Sequence, residues 1–252
     1  MNLFAGKAVL VTGGSRGIGR EACLAFAREG ASVAYCYRRG VEPAASLDIE
    51  LEALGVPHRS YCCAVQDYSA VSSMIGDIHE GFGGIDVLVN NAGVLVVGAF
   101  VGMRHKDYRD MVETNLHGLF NVSKLSLPYL MKKKNGVVVN VSSSMAYRPM
   151  GVDQAVYAAT EAGIIGFTRS MAHECAALGV RVNAIAPGLV DTGMIQDLGA
   201  PAIEGLIAKI GNARIASPNE VASLVVFLAT PQASLISGQT LVADSGSVSF
   251  QF

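Results

Sequence analysis

A tyrosine and a glutamate lie one helical turn apart in the stretch VYAATEAGIIGFTRS, residues 156–170. The stretch has the pattern of a helix, and side chains at positions i and i+4 of a helix share one face, about 5–6 Å apart between Cβ atoms. Tyr157 and Glu161 are therefore predicted neighbours. A phenol that exchanges protons works best beside a positive charge, because a cation lowers its pKa from the free value of about 10. A carboxylate beside Tyr157 thus needs an explanation.

A second chemical motif is the glycine-rich turn within VLVTGGSRGIGREACLAFAREG, residues 9–30. Gly13, Gly17 and Gly19 fall between a predicted strand and a predicted helix. Glycines in such a turn let a pyrophosphate approach the backbone, and the helix N-terminus offers free N–H groups and a partial positive charge. An ordinary strand-to-helix turn is the alternative. We interpret the motif as a dinucleotide site.

The end of the second predicted strand indicates which dinucleotide is bound. The strand ends in YCYRRG, residues 35–40, with no acid that could hydrogen-bond the ribose hydroxyls of NAD. Arg38 and Arg39 stand there instead, and Arg16 lies in the glycine turn. Guanidinium groups suit a 2′-phosphate, so the sequence favours NADPH over NADH. The alternative is a solvated basic loop end.

The elements that must position these residues alternate along the chain. Short β-branched runs, several of them apolar on both faces, are separated by helical patterns, which predicts repeated βαβ units in one α/β domain over residues 1–252. The fold class is a Rossmann-type, doubly wound parallel sheet of about seven strands. Predicted strands are 7–12, 32–37, 58–63, 86–90, 136–141, 181–186 and 240–243; predicted helices are 17–29, 42–54, 68–82, 106–134, 154–178 and 218–229.

Composition limits the function classes. Of the 252 residues, 51 % are apolar and 16 % charged, and no stretch approaches 18 uninterrupted apolar residues, so no membrane span is expected. The start has no secretory signal pattern, which makes the cytoplasm the expected location. A net charge of −2 without long runs of one sign argues against nucleic acid as a partner. The five cysteines show no metal-ligand spacing and are expected to be buried free thiols.

Together these motifs resemble the short-chain dehydrogenase/reductase family, most closely its 3-oxoacyl-carrier-protein reductase-like branch. The resemblance covers nearly the whole chain. It rests on TGGSRGIG at 12–19, NNAG at 90–93, ETNLHG at 113–118, NVSSS at 140–144, Tyr157, RVNAIAPGLVDT at 181–192 and SGQTLVADSG at 237–246.

The resemblance implies roles for individual residues. Tyr157 would pass a proton to a substrate carbonyl oxygen, Ser143 would hydrogen-bond that oxygen, and Asn115 would hold a water in a proton relay. Ser142 and Ser144 remain alternatives to Ser143. The residues expected to contact the cofactor are Gly13, Ser15, Arg16, Gly17, Ile18, Gly19, Arg38, Arg39, Asn91, Ala92, Gly93, Pro187, Gly188 and Thr192.

Glu161 departs from the family pattern, which has a lysine four residues after the tyrosine. That lysine bonds the nicotinamide ribose and lowers the pKa of the tyrosine. Two unit charges about 4 Å apart interact by roughly 4 kcal/mol at an effective dielectric of about 20, so exchanging a cation for a carboxylate reverses a sizeable effect. Glu161 could oppose tyrosinate formation, accept hydrogen bonds from the ribose, be protonated by burial, or act as a general base. An engineered or naturally inactivated protein is a further alternative.

Three hypotheses follow from these residues. The favoured one is an NADPH-dependent oxidoreductase, a ketoreductase-like enzyme that interconverts a ketone and an alcohol. The others are a redox-inactive nucleotide-binding scaffold and a non-redox dehydratase or isomerase with Glu161 as base. The apolar stretch 192–215, with Tyr147, Met150 and Met194, suggests an apolar small-molecule or acyl substrate, although these side chains could merely pack on the protein body.

The expected partners are few. A carrier-bound substrate is an open alternative, because MKKKNG at 131–136 is a basic helix end that could meet an acidic carrier or simply be solvated. The family also implies a homotetramer, whose main dimer contact would be made by the predicted helices 106–134 and 154–178.

Overall fold

The computed structural model of the chain describes residues 2–148, 153–196, 200–207 and 214–247. Seven parallel strands form one sheet in the order β3-β2-β1-β4-β5-β6-β7. The predicted doubly wound parallel sheet is therefore confirmed. The strands are β1 Ala8–Thr12, β2 Ser32–Tyr37, β3 His58–Cys62, β4 Val87–Asn90, β5 Gly136–Val141, β6 Val180–Pro187 and β7 Thr240–Ala243.

Helices cover both faces of this sheet. Two apolar cores result, because strands such as β1 send alternate side chains to opposite faces: Val9 and Val11 enter one core and Leu10 the other. The helices are α1 Gly17–Arg28, α2 Val41–Ala53, α3 Tyr68–Phe82, α4 His105–Val112, α5 Leu119–Lys132, α6 Ala155–Cys175, α7 Gly193–Gln196, α8 Ala200–Ile207 and α9 Pro218–Ala229.

The helix predicted over 106–134 has an irregular centre. Helices α4 and α5 are joined by a π-helical segment, Glu113–Gly118, in which the backbone follows a wider turn. Segments of this kind often occur at functional sites, and this one contains Asn115. Hydrophobic periodicity could not reveal it, because one extra residue in a turn hardly changes the pattern.

The order of the strands creates a crevice at the carboxyl edge of the sheet. After β1 the chain adds strands on one side through β3, and then returns to place β4 on the other side of β1. The connections that leave β1 and β4 therefore diverge, which opens a ligand site at this switch point.

Two further expectations can be compared with the structure. Of the five free cysteines four are buried, whereas Cys62 is exposed, so the expectation of buried thiols was wrong at this position. Cys62 is the last residue of β3, at the edge of the sheet, where a side chain faces solvent. Among the described helices none is long and apolar enough to cross a membrane.

Candidate active site

The glycine turn forms an open cradle at the N-terminus of α1. Arg16 occupies the N-cap position but makes no side-chain capping bond within the described structure, so the first N–H groups of α1 are left for a ligand. Gly13 and Gly17 have positive φ angles of 64° and 52°. A Cβ on Gly19 would come within 2.3 Å of the carbonyl oxygen of Gly13, so this close packing requires glycine.

The NNAG loop after β4 is tied to this cradle. The Asn91 side-chain amide donates to the carbonyl oxygens of Thr12 and Gly13 at 3.0 and 3.1 Å. The Thr12 hydroxyl accepts hydrogen bonds from the backbone N–H groups of Asn91 and Ala92 at 2.9 and 3.0 Å. These bonds hold the loops after β1 and β4 together across the switch point.

Three arginines had been predicted to select the cofactor, and the structure separates them. Arg16 donates a 3.4 Å hydrogen bond to the carbonyl oxygen of Arg39 and lies over Gly40, where any Cβ would meet its guanidinium. Arg16 and Arg39 both line the crevice. Arg38 is exposed and outside that lining. The hydrogen bond of Lys106 lowers the pKa of Asp110, and the charge of Arg38 adds a smaller contribution.

Ser142 and Ser143, which follow β5, make different hydrogen bonds. The Ser142 hydroxyl donates a 3.0 Å hydrogen bond to the backbone carbonyl of Glu161 and so anchors α6. Ser143 accepts a 3.2 Å hydrogen bond from the N–H of Met145, and its hydroxyl also bonds the phenol of Tyr157. Of the two, Ser143 is thus the one directed at the phenol, and its bond to a substrate oxygen stays a prediction. Ser144 does not line the crevice.

A buried polar network fixes the helix that carries the phenol. Asn90 and Asn140 are register partners on β4 and β5, and the Asn90 amide donates to the Asn140 side-chain oxygen at 2.9 Å. Asn140 in turn donates to the hydroxyl of Thr168 on α6 at 2.9 Å. Because a buried donor left without an acceptor is costly, these bonds help to set the position of α6 relative to the sheet.

Asn115 is held from both sides. Its side-chain oxygen accepts from the N–H of Val94 at 2.9 Å, and its amide donates to the Val94 carbonyl at 3.0 Å and to the Thr160 hydroxyl at 3.1 Å. Thr160 donates onward to the carbonyl of Tyr157 at 2.8 Å. Both amide hydrogens of Asn115 are therefore used within the protein. The sequence interpretation missed Thr160, for which the short spacing to Tyr157 was the available signal.

Tyr157 and Glu161 lie in one crevice, and neither ionises easily. Burial, and then the charge of Glu161, raise the pKa of Tyr157 well above its usual value, against a lowering by the Ser143 hydrogen bond. Glu161 is only 4 % exposed. Burial raises its pKa to about 8, while the hydroxyls of Ser142 and Thr160 oppose this rise. Glu161 is therefore mostly protonated at neutral pH.

One crevice of about 640 Å³ collects nearly all the predicted residues. Ser15, Gly19 and Arg38 are the predicted site residues outside its lining; Ser15 is buried and Gly19 supports the turn. The predicted residues that do line it are Gly13, Arg16, Gly17, Ile18, Arg39, Asn91, Ala92, Gly93, Asn115, Ser143, Tyr157, Glu161, Pro187, Gly188 and Thr192.

An apolar cluster adjoins the phenol. Met145, Leu189 and Ile195 are buried together, and Tyr157 packs against them. Ile203, Ile207 and Ile215 of the apolar stretch 192–215 pack on the same cluster, so this stretch does contact the protein body. Tyr147 is exposed and outside the crevice lining. Met150 and the side chain of Met194 lie outside the described residues.

Fold and crevice together define a dinucleotide-binding α/β protein, and comparisons with known proteins give its family. The sequence profile of the family described as short chain dehydrogenase matches residues 7–202. The 3-oxoacyl-[acyl-carrier-protein] reductase of Vibrio cholerae is 39 % identical over 248 residues, covering 98 % of each chain. The corresponding reductase of Thermotoga maritima is 38 % identical over 247 residues, covering 96 % of this chain and 98 % of its own.

A solved structure agrees with both results. A short-chain dehydrogenase from Burkholderia cenocepacia, determined in complex with NADP, superposes with a TM-score of 0.93 at 31 % identity, covering 97 % of this chain and 99 % of its own. The chain therefore belongs to the short-chain dehydrogenase family. The cofactor bound by that relative is the one predicted here from the sequence.

Proposed function

We propose that the protein is an NADP-dependent oxidoreductase that interconverts a ketone and an alcohol. The observation that carries this proposal is the single crevice in which Ser143 and Tyr157 face the same space as the glycine cradle. A carbonyl at the phenol and a dinucleotide whose pyrophosphate is held by the N-terminus of α1 would therefore share this crevice.

The crevice suits NADP(H) chemically. The uncapped N-terminus of α1 and the glycines at 13 and 17 offer a pyrophosphate N–H groups without side chains in the way. Arg16 and Arg39 offer guanidinium groups for a 2′-phosphate, and no carboxylate follows β2 to repel it. When bound, the nicotinamide supplies or accepts a hydride.

Two side chains of the crevice can donate hydrogen bonds or protons to a substrate carbonyl oxygen. In reduction, negative charge develops on that oxygen, and catalysis requires donors aimed at it. The Ser143 hydroxyl is a hydrogen-bond donor, and the Tyr157 phenol delivers the proton. Thr160 and Asn115 position the first turn of α6, because they link the Tyr157 carbonyl to the π-helical segment.

Glu161 makes proton transfer at Tyr157 more demanding. Burial, and then the charge of Glu161, raise the pKa of the phenol, so a stable tyrosinate is disfavoured. The phenol proton must therefore be transferred to the carbonyl oxygen while negative charge develops on that oxygen. A protonated Glu161 removes the effect of its charge, and burial favours that form at neutral pH. We therefore expect reduction to be fastest below about pH 8.

The substrate is proposed to be apolar near its carbonyl. The cluster of Met145, Leu189 and Ile195 beside Tyr157 would receive hydrocarbon, and the stretch through Ile207 covers the same side. The Vibrio and Thermotoga relatives are named as reductases of acyl-carrier-protein substrates, which makes a 3-oxoacyl thioester a rational first substrate to test.

One observation favours a second candidate, a non-redox dehydratase or isomerase. A buried carboxyl whose pKa is raised to about 8 is poised to act as a general base near neutral pH. In that case Glu161→Gln would abolish the native activity while NADPH affinity stayed nearly unchanged. The oxidoreductase is preferred because it also accounts for Ser143, Tyr157 and the cradle.

The deciding experiment follows NADPH absorbance with a panel of apolar ketones and 3-oxoacyl thioesters, and NADP⁺ with the matching alcohols. We expect turnover that Tyr157→Phe reduces below detection and Ser143→Ala lowers about 10²- to 10³-fold. Tyr147→Phe is the matched control, since Tyr147 lies outside the crevice, and it should keep full activity. Tight NADPH binding without turnover in either direction would refute the oxidoreductase and leave the scaffold or the non-redox enzyme.

A further inference from the structure

The buried carboxyl of Glu161 and the arginines of the crevice lie at opposite ends of it. We call the end that Tyr157 lines the reacting end. Among the described residues that line the crevice, the titratable side chains are Arg16, Arg39, Tyr157 and Glu161. The two arginines flank the glycine cradle, whereas Glu161 is one turn from Tyr157 on α6. The reacting end therefore carries either no charge or one negative charge.

The charged side chains of neighbouring elements do not compensate Glu161. No charged group of the described structure contributes to its pKa shift, which comes from burial and from the hydroxyls of Ser142 and Thr160. The charged residues on or beside the elements that pack against α6 form contacts elsewhere: Arg104 with Asp107, Lys106 with Asp110, Arg109 with His105, His117 with Glu113, and Arg181 with backbone carbonyls near α9.

The two redox forms of a nicotinamide dinucleotide differ at one place only. Adenosine, 2′-phosphate and pyrophosphate are common to both, whereas the ring carries one positive charge when oxidised and none when reduced. A ring that exchanges hydride with a substrate carbon must lie close to the substrate oxygen, and Tyr157 is proposed to hold that oxygen. Glu161 lines the same part of the crevice as Tyr157. A carboxylate in a water-poor site discriminates between these two rings.

From this juxtaposition we propose that Glu161 makes the site prefer the oxidised dinucleotide over the reduced one. The inference rests on the proposed function, and it concerns how the site distinguishes the two redox forms of the cofactor.

Charge balance supports this preference. An oxidised ring beside an ionised Glu161 would form a pair of zero net charge. A reduced ring would leave the carboxylate unpaired in a low-dielectric site, which is costly.

The test compares the dissociation constants of NADP⁺ and NADPH. Contacts to the adenosine, 2′-phosphate and pyrophosphate contribute equally to both constants, so the ratio of the two reports only on the nicotinamide ring. Calorimetric titrations would be run at pH 6.5 and pH 9 on the unmodified protein and on Glu161→Gln. We expect the preference for NADP⁺ to increase at least about tenfold with pH in the unmodified protein and to stay constant in Glu161→Gln. Proton release on NADP⁺ binding near pH 7.5, measured in buffers of different ionisation enthalpy, should disappear in the variant.

Glu174→Gln is the matched control, because Glu174 lies exposed near the end of the same helix. It should behave as the unmodified protein. An NADP⁺ to NADPH ratio that is the same in the unmodified protein and in Glu161→Gln at pH 9 would overturn this inference and leave the proposed oxidoreductase intact. Failure of the unmodified protein to bind either dinucleotide would overturn both.

Discussion

The side-chain amide of Asn115 donates a 3.1 Å hydrogen bond to the hydroxyl of Thr160, which in turn donates to the backbone carbonyl of Tyr157 at 2.8 Å. Asn115 belongs to the π-helical segment and Thr160 to α6, so this chain of bonds joins two separate elements at the reacting end of the crevice. Thr160 is only 2 % exposed, and water cannot replace it without rearrangement.

Replacing Thr160 by valine should therefore affect both stability and activity. Valine keeps the shape but leaves an amide hydrogen of Asn115 buried without an acceptor, which costs about 1–3 kcal/mol. We expect a melting temperature lower by several degrees and a turnover number at least about tenfold lower. Thr160→Ser retains the hydroxyl and should restore both. Equal melting curves for the valine and serine variants would show that the bond contributes nothing.

Restoring a cation beside the phenol should favour reduction. Glu161→Lys replaces a carboxyl, whose ionised form raises the pKa of Tyr157, by a cation that lowers it. Ketone reduction with NADPH should increase, and the increase should be larger above about pH 8, where Glu161 is ionised, than at neutral pH. Steady-state rates from pH 5.5 to pH 9 measure this, with the exposed Glu174→Lys as control. A folded Glu161→Lys variant that binds NADPH but reduces no ketone would favour the scaffold hypothesis.

Cofactor choice should depend on Arg39 more than on Arg38. Both were predicted to contact the 2′-phosphate, but only Arg39 lines the crevice. Arg39→Asp should weaken NADPH binding about tenfold or more, with little change for NADH, because one guanidinium is exchanged for a repelling carboxylate. Fluorescence titration with both dinucleotides is the measurement. An equal loss in Arg38→Asp would mean that the loop closes over the phosphate in the complex.

The stability of the protein should fall as the pH rises through the range in which Glu161 titrates. Its pKa is about 8 in the folded chain and near the ordinary 4.5 in the unfolded chain. Between these values the folded state binds the extra proton, so stability is full below about pH 4.5 and is lost progressively up to about pH 8, by at most about 5 kcal/mol. Other groups add their own pH dependence.

Glu161→Gln isolates this contribution, because the amide keeps the size of the side chain and does not titrate. The difference in melting temperature between the variant and the unmodified protein should grow in favour of the variant from pH 5 to pH 9. A difference independent of pH would mean that Glu161 titrates normally in the folded protein.

Self-association through α4 and α5 is a further prediction. Tyr108 and Phe120 are apolar side chains on these helices and remain about half exposed in the single chain, Phe120 at 47 %. Two copies that bury such residues would form the dimer of the predicted homotetramer. Light scattering at micromolar concentration should give a tetramer that Phe120→Asp dissociates. Ile49→Asp, at an exposed apolar position on α2, should leave the mass unchanged. A monomeric unmodified protein would contradict the prediction.

Much of the architecture could be predicted because its signals are local. The predicted strands match all seven observed ones to within about a residue. For most of them the signal is an apolar run, since strands of a covered parallel sheet are apolar on both faces, whereas β3 is a polar edge strand. The positions of Gly13 and Gly17 followed from the turn between β1 and α1. Tyr157 and Ser143 followed from family resemblance rather than from physics.

What could not be predicted depends on contacts between distant segments. The choice between Arg38 and Arg39 depends on where Arg16 lies after folding, 23 positions away in the sequence. Cys62 is exposed because β3 is an edge strand, and edge position is a property of the strand order. The role of Thr160 depends on Asn115, which lies in a π-helical segment that leaves almost no trace in the hydrophobic pattern.

The bond from Ser142 to Glu161 has a consequence for how this site can change. The Ser142 hydroxyl bonds the backbone carbonyl of residue 161, and the Asn140 to Thr168 bond fixes the helix two turns further on. Neither of these two bonds requires a particular side chain at position 161. A single nucleotide change converts a glutamate codon into a lysine codon, and the backbone bonds that place the helix do not depend on that side chain. The charge at position 161 can therefore change in evolution while Ser143 and Tyr157 keep their places.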